Sequence, residues 1–130
     1  MSDNTRAREQ GLAQFESIKG MVADMTRAHK SGDDAAIAAA LTTIQEDPLC
    51  IEVRSGWHTP SHGAQSEEFQ ILLCTGGPAV RIVGELNEYL EPVNPSIEYQ
   101  DWYTPWERMA ITVEDQQILQ AYCQEFYYGE

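Results

Sequence analysis

Basic residues are scarce in this chain. It has 8 Lys and Arg against 21 Asp and Glu over 130 residues, a formal net charge of −13. Five bases and four acids give the first 30 residues a net charge of +1, so residues 31–130 carry −14. From Val83 onward there are ten acids and one base, Arg108. A small soluble domain typically carries a net charge of about 2–8 in magnitude. A field this negative repels nucleic acid and anionic membranes, so we expect neither as a direct partner.

Long apolar runs and cysteines are scarce as well. No run approaches the roughly 18 apolar residues of a membrane span. The N-terminal segment MSDNTRAREQ holds no apolar stretch typical of a secretory signal, so we expect a cytoplasmic protein. Cys50, Cys74 and Cys123 are an odd number of cysteines at wide spacing, and each lies within an apolar pattern. This arrangement favours buried reduced thiols over disulfides.

Motifs of catalysis and cofactor binding are missing. The sequence has no G-x-S-x-G elbow, and no local pattern places a cysteine with a histidine. The segment TGGP at 75–78 lacks the lysine of a phosphate-binding loop and is interpreted as a turn between two strands. The sequence leaves enzyme activity open but favours a protein that is not an enzyme. We predict no catalytic residue, no metal site and no cofactor.

Two local clusters carry the enzyme alternatives. His58 and His62, with two glutamates behind them, are residue types that hold zinc. A proline between the two histidines favours an exposed polar loop instead. Glu98 and Asp101 lie beside aromatic residues, as carboxylates in sugar-cleaving sites often do. Their spacing alone does not place them on opposite sides of a glycosidic bond.

The composition predicts one folded domain over residues 1–130. Hydrophobic residues make up 42% of the chain, with three Trp, six Tyr and three Phe, which is enough to build a core. An apolar residue recurs every three or four positions in the stripe Leu12, Phe15, Ile18, Val22 and Met25. This period predicts an amphipathic helix over about 5–30. Gly32 and Asp33 favour a helix end and a new N-cap, and Pro48 ends a second helix. We therefore expect a helical hairpin over 1–47.

The remainder, 48–130, is predicted to form a sheet and a final helix. Alternating apolar residues predict strands at about 49–54, 69–74, 79–83 and 96–100. The stretch 84–95 is interpreted as a loop or edge. Thr112 begins a capping-box-like start to a helix whose apolar stripe runs to Phe126. The order ααββββα predicts an α+β fold, with helices on one face of an antiparallel sheet of about four strands.

The carboxylates and aromatic residues of the C-terminal half are the candidate partner-binding residues. The acids are Glu85, Glu88, Glu91, Glu98, Asp101, Glu107, Glu114 and Asp115, and the aromatic residues are Trp102, Tyr103 and Trp106. Duplex DNA presents one negative charge per ~1.7 Å of axis, and a rigid acidic domain can offer a comparable array to a Lys/Arg groove. Trp and Tyr are enriched at interface hot spots. The alternatives are an acidic surface that only maintains solubility and aromatic residues that only complete a small core.

The C-terminal part of the chain also resembles small acidic proteins encoded by bacterial phages, conjugative plasmids and integrated islands. The similarity covers roughly 50–130. It is carried by IEVRSGWHTP at 51–60, ILLCTGGPAVRIVGEL at 71–86, IEYQDWYTPW at 97–106 and AYCQEFYYGE at 121–130. Mobile elements of this kind commonly encode inhibitors of host defence, including anti-CRISPR and anti-restriction proteins. The resemblance therefore implies an inhibitor that works in the cytoplasm of a bacterial host. It supplies no site residues.

Together these observations predict a binding protein that occupies a basic nucleic-acid-binding surface of a host protein or ribonucleoprotein complex. The acids would compete with phosphate, and affinity would fall as salt rises. The alternatives are a small metal- or ligand-dependent enzyme, or an oligomeric accessory protein that forms a homodimer through residues 5–30. The sequence does not show whether its acids converge on one face.

Overall fold

A computed structural model describes residues 5–60, 65–102 and 104–129. Within them the chain forms α1 (Thr5–Ser31), α2 (Asp34–Glu46), β1 (Cys50–Arg54), β2 (Glu68–Cys74), β3 (Ala79–Leu86), β4 (Pro92–Gln100), β5 (Glu107–Arg108) and α3 (Val113–Cys123). The strands form one antiparallel sheet in the order β1-β2-β3-β4-β5. The predicted α+β class is confirmed. The predicted strand count was one too low, because the two residues of β5 are too few to show a period.

The N-terminal hairpin is built by two local signals. Gly32 adopts a φ of +69°, a left-handed conformation that glycine reaches without steric strain. The Asp33 carboxylate then accepts hydrogen bonds from the Ala35 and Ala36 amides at 3.0 and 3.4 Å, which caps α2. α1 and α2 pack against each other after this turn. The two helices therefore end and begin where the sequence predicted.

The apolar stripe of α1 packs inside the chain. Phe15, Ile18 and Met25 are buried, Val22 is half-buried, and Leu12 is exposed. Self-association of α1 through the whole stripe would compete with this core. A homodimer through residues 5–30 stays a prediction, with Leu12 as the member of the stripe that such a contact would reach.

The β3–β4 hairpin is longer than the sequence indicated. The expected loop over 84–95 is reduced to a turn at 87–91, because β3 continues to Leu86 and β4 begins at Pro92. A register shift between Val83 and Glu85 accommodates Gly84. The Phe69 ring lies against this glycine, where a Cβ would approach its Cε1 to 2.7 Å. Glycine and proline favoured a loop in the sequence, and cross-strand packing overrides that preference.

One face of the sheet is covered by helices, and the other face is open. The covered face supplies every second strand residue to a single core that also includes α1 and α3. Its fully buried members include Ile18, Ile44, Ile71, Ile82, Ile97, Leu119 and Tyr122. The Gln116 and Gln120 amides donate to the Pro95 and Pro92 carbonyls at 2.7 Å and fasten α3 along β4. The intervening strand residues line a shallow groove of about 480 Å³ on the open face.

The cysteines differ from one another in exposure. All three are free thiols. Cys123 is buried, and burial raises the pKa of its thiol. Cys74 is half-buried, and desolvation likewise raises its pKa. The prediction of a buried thiol was wrong for Cys50, which is exposed because β1 is the edge strand of the sheet.

Candidate functional site

The sheet topology brings two loops to the same end of the molecule. β1 to β4 run alternately up and down, so the β1–β2 and β3–β4 connections both lie where β1 and β3 end. We call residues 54–60, 65–68 and 85–91 the loop end. Gln65 Nε2 donates to the Glu88 carbonyl at 2.9 Å and joins the two loops directly. The loop end is therefore one continuous surface built from two segments that are distant in sequence.

The loop end is strongly acidic. It contains five carboxylates, Glu67, Glu68, Glu85, Glu88 and Glu91, and one base, Arg54. Glu68 and Glu85 are direct cross-strand partners, an arrangement that is destabilising for like charges. Arg54 compensates Glu68 through two hydrogen bonds, Nε to Oε1 at 3.0 Å and Nη2 to Oε2 at 3.1 Å. These hydrogen bonds raise the pKa of Arg54 and lower the pKa of Glu68.

Among the described residues, no cation forms an ion pair with four of the five carboxylates. In the part of the chain that the structure describes, Glu68 is the loop-end acid that forms an ion pair. Glu67 Oε2 accepts from the Gly56 amide at 3.2 Å, and Glu91 Oε1 accepts from Asn87 Nδ2 at 3.0 Å. These two carboxylates are held in place by neutral donors and keep their charge uncompensated. The loop end therefore presents a fixed negative surface to solvent.

The β3–β4 turn is ordered by one asparagine. Asn87 Oδ1 accepts from the amides of Tyr89 and Glu91 at 2.9 and 3.0 Å, the local bonding for which asparagine is favoured in turns. Leu90 takes a φ of +59° within this turn and donates its amide to the Asn87 carbonyl at 3.0 Å. Tyr89 is 75% exposed despite this internal bonding. Its ring is therefore presented on a rigid support.

A second aromatic residue stands on the other loop. The Trp57 side chain is fully exposed, one residue after Gly56. Large aromatic side chains usually bury most of their surface, whereas this one contributes nothing to the core. Carboxylates next to exposed aromatic rings suit Lys and Arg side chains, which form charge-assisted hydrogen bonds with the former and cation–π contacts with the latter.

The structure separates the eight predicted acids. Three of them, Glu85, Glu88 and Glu91, lie at the loop end. Glu98 lies on the open face, where Arg81 Nε donates to its Oε1 at 2.8 Å and the Arg81 guanidinium stacks over the Trp106 ring at 4.1 Å. Glu98 and Trp106 are thus engaged within the chain. Their contacts explain how a polar strand face is held together without a partner.

Asp101 and Trp102 lie at the opposite end of the sheet. Arg6 Nη2 lies 3.6 Å from Asp101 Oδ1 and donates to the Gly77 carbonyl at 2.7 Å, so a cation of α1 neutralises this acid. The Trp102 indole lies against the Cα of Gly77, which has no room for a side chain, although the ring is largely exposed. Tyr103 lies outside the described residues. The predicted aromatic cluster is therefore divided between this end and the open face.

The remaining predicted acids, Glu107, Glu114 and Asp115, lie on β5 and α3, away from the loop end. Glu107 lies on β5 beside Tyr99. The pKa of Tyr99 is raised mainly because the hydroxyl is partly desolvated, and its hydrogen bond with Glu107 raises the pKa further. Glu114 and Asp115 lie in the first turn of α3, where negative charge is favourable near a helix N-terminus. Thr112 Oγ1 accepts from the Asp115 amide at 3.1 Å, which confirms the predicted cap.

Sequence reasoning missed three contributors to the loop end, Trp57, Glu67 and Tyr89, as partner-binding residues. The signal that could have found them is the strand order. A meander of four antiparallel strands places the first and third connections together, whatever their separation in sequence. No residue-level motif marks any of the three.

The enzyme alternatives gain no geometric support from the described residues. His58 is exposed with its Nδ1 3.3 Å from the Gly56 carbonyl, and His62 lies outside those residues. Within the described ranges, no group of three His, Cys, Asp or Glu side chains could hold a metal ion. The Glu98 carboxylate is paired with Arg81, and Asp101 is paired with Arg6. Neither acid is arranged opposite the other across a cleft.

Comparisons with protein-family models, with curated proteins and with solved structures find no match. Among the helices that the structure describes, none combines the length and the apolar character needed to cross a bilayer.

Proposed function

We propose that this chain is a binding protein, not an enzyme, and that its loop end occupies a basic nucleic-acid-binding surface of a partner protein or ribonucleoprotein complex. The observation that carries the proposal is the Gln65–Glu88 contact, which joins the two loops into one acidic and aromatic surface. The carboxylates of Glu67, Glu85 and Glu88 would take the positions of nucleic-acid phosphates against Lys and Arg side chains. Trp57 and Tyr89 would supply the apolar contact area.

The charge distribution supports this direction of recognition. The whole chain carries a net charge of −13, of which the five acids and one base of the loop end account for −4. A field of this sign accelerates encounter with basic surfaces and repels nucleic acid. The two aromatic rings supply contact area that salt does not screen, which distinguishes a docking surface from a merely soluble one. The resemblance to proteins of mobile elements adds a class of partner, namely a nucleic-acid-binding complex of bacterial host defence.

Capture from a bacterial extract tests the proposal when it includes competition with nucleic acid. The immobilised full chain is expected to retain basic proteins at low salt and to release them as salt rises, because the Debye length falls from about 10 Å at 0.1 M to about 3 Å at 1 M. Added duplex DNA or RNA should displace the same proteins, because it competes for the same surface. Captured proteins that resist both salt and nucleic acid would refute mimicry.

Matched variants locate the contact. Glu85→Gln, Glu88→Gln and Glu91→Gln together remove three charges from the loop end. Glu9→Gln, Glu16→Gln and Glu114→Gln remove three charges from exposed positions on α1 and α3, so both variants have the same net charge. We expect the first variant to bind about tenfold more weakly or worse, since close interfacial charge pairs contribute about 1.5 kcal/mol or more. Equal weakening by both would mean that only total charge matters and that the loop end is not the site.

A further inference from the structure

The two edges of the sheet are very different. β5 closes one edge with only two residues, Glu107–Arg108, and edge strands this short offer little for another strand to pair with. β1 forms the other edge with five residues, Cys50–Arg54, and pairs with β2 alone among the described elements. Four of its five residues are exposed. The outer side of β1 therefore presents backbone N–H and C=O groups to solvent.

The side chains of β1 divide into two rows. On the side that faces the helices, Leu49 is 59% exposed, Val53 is 41% exposed, and Ile51 is half-buried between them. On the open side, Glu52 and Arg54 alternate with this row. Natural edges are commonly protected by charged side chains, by an inward-pointing charge or by proline within the strand. β1 carries charges on its open side alone and has neither of the other two devices among its central residues, and its apolar row is incompletely covered.

Acids surround this edge. Glu46 and Asp47 come directly before β1 in the chain, and Glu52 lies on β1. Glu67 and Glu68 lie at the start of β2, beside the end of β1. The one base near them, Arg54, is held by Glu68 through two hydrogen bonds. A strand added here would meet an apolar row on one side and, on the other, the Glu52 carboxylate and the Arg54–Glu68 ion pair. The chemistry that fits is an extended segment in which basic and apolar side chains alternate.

We infer that β1 pairs with such a segment of the basic partner, which adds a sixth strand to the sheet. Backbone hydrogen bonds would supply affinity and the alternating side chains would supply specificity. The basic character of the partner rests on the proposed function. The place where the strand is added rests only on the exposed edge of β1. Because β1 leads into the loop of Trp57, the added strand would lie next to the loop end. A second copy of this chain is a poor occupant, because it would place two chains of −13 edge to edge.

A peptide tests this directly. The probe is Lys-Val-Lys-Val-Lys-Val-Lys, and the control is a peptide of the same composition with its lysines and valines in separate blocks. We expect the alternating peptide to bind the full chain at least about tenfold more tightly, because only alternation matches a strand's two faces. Amide NMR shifts should concentrate on 49–54. Equal binding of the two peptides, or shifts confined to the loops, would overturn the inference.

Two lysine substitutions separate edge pairing from general attraction. Val53→Lys places a like charge against the peptide on the edge strand, and Val113→Lys makes the same change at an exposed position on α3. Val53→Lys is expected to weaken the alternating peptide by about tenfold or more, and Val113→Lys to leave it nearly unchanged. Leu49→Lys repeats the test if Val53→Lys fails to fold. Equal effects of the edge and helix variants would refute strand addition.

The same experiments distinguish this inference from the proposed function. Strand addition predicts that the Glu85, Glu88 and Glu91 triple variant retains the preference for the alternating peptide, because β1 is intact in it. If nucleic acid fails to displace captured proteins while the peptide preference persists, the proposed function fails and strand addition stands. If the free chain is a dimer by light scattering and Val53→Lys makes it a monomer, β1 pairs with its own copy and the inference is overturned.

Discussion

Three buried acidic groups make the fold sensitive to alkali. Cys123, Tyr122 and Tyr128 lie in the core next to one another. Burial raises the pKa of each above its ordinary value of 9.0 for the thiol and 10.0 for the phenols. A hydrogen bond from the Tyr122 hydroxyl to Asp47 Oδ2 at 2.7 Å raises that pKa further. In the unfolded chain all three groups ionise at their ordinary values, whereas in the folded chain they stay protonated.

The sign and size of the effect follow from proton linkage. Each folded-state pKa lies above its unfolded value, so this stabilisation is complete below about pH 9 and is lost as the pH rises. Above its ordinary pKa, each group removes about 1.36 kcal/mol of unfolding free energy per pH unit. Three groups together remove about 4 kcal/mol per unit above about pH 10. A domain with a typical stability of about 5–15 kcal/mol should therefore unfold between about pH 11 and pH 13.

One substitution isolates a third of this slope. The Tyr128 hydroxyl donates to the Cys123 carbonyl at 2.6 Å, so Tyr128→Phe should lose about 1 kcal/mol at neutral pH. It also removes one titrating group, so above about pH 10 the unfolding free energy of the variant falls by about 1.36 kcal/mol less per pH unit than that of the parent. The stability curves of the variant and the parent should consequently meet near about pH 11.

Urea denaturation at a series of pH values, followed by tryptophan fluorescence, measures both curves. Tyr127→Phe is the control, because Tyr127 is 73% exposed and its replacement should leave stability and slope unchanged. Parallel curves for Tyr128→Phe and the parent would refute the reasoning. Complete tyrosinate absorbance in a chain that is still folded would also refute it, because the buried hydroxyls would then titrate as solvated ones.

Two further predictions concern single side chains. Gly84→Ala should destabilise the fold by about 1–3 kcal/mol, because the new methyl group would overlap the Phe69 ring. Gly20→Ala on α1 should instead stabilise the fold by about 0.5–1 kcal/mol, because its methyl group would meet nothing within 4 Å. Thermal unfolding of the two variants and the parent measures both effects. Trp57→Ala and Tyr89→Ala should each change stability by less than about 0.5 kcal/mol, since both rings are exposed, yet each should weaken partner capture by about 2 kcal/mol or about 30-fold. Unchanged capture by both variants would remove the aromatic residues from the proposed contact.

Local signals in the sequence were sufficient to predict most of the secondary structure. The turn at Gly32, the cap at Asp33 and the cap at Thr112 each require only neighbouring residues, and each occurs in the structure. The boundaries of β3 and β4 were wrong because they depend on partners across the sheet. Gly84 weakens a strand by itself, and it becomes part of one because the Phe69 ring fills the space above it.

The candidate site was predictable only in part, for a related reason. A count of acids indicates the sign of a partner, but it does not show which acids folding will neutralise. Glu98 meets Arg81 from a neighbouring strand, and Asp101 meets Arg6 from the first helix, so both are poor candidates for an external contact. In the sequence, Glu67 is one of the two glutamates behind His58 and His62, which indicated only a polar loop. The strand order places it beside the turn that carries Glu88.

The positions of the few basic residues explain where uncompensated charge is left. After residue 30 the chain has three bases, Arg54, Arg81 and Arg108, and all three line the open face of the sheet. Arg54 and Arg81 pair there with Glu68 and Glu98. Compensation by these three bases is thereby concentrated on one face, and four loop-end acids, Glu67, Glu85, Glu88 and Glu91, form no ion pair among the described residues. A basic partner should therefore approach along the acids of the loop end and the β1 edge, because a site at the middle of the open face would first have to displace the Arg81–Glu98 pair that the chain already makes.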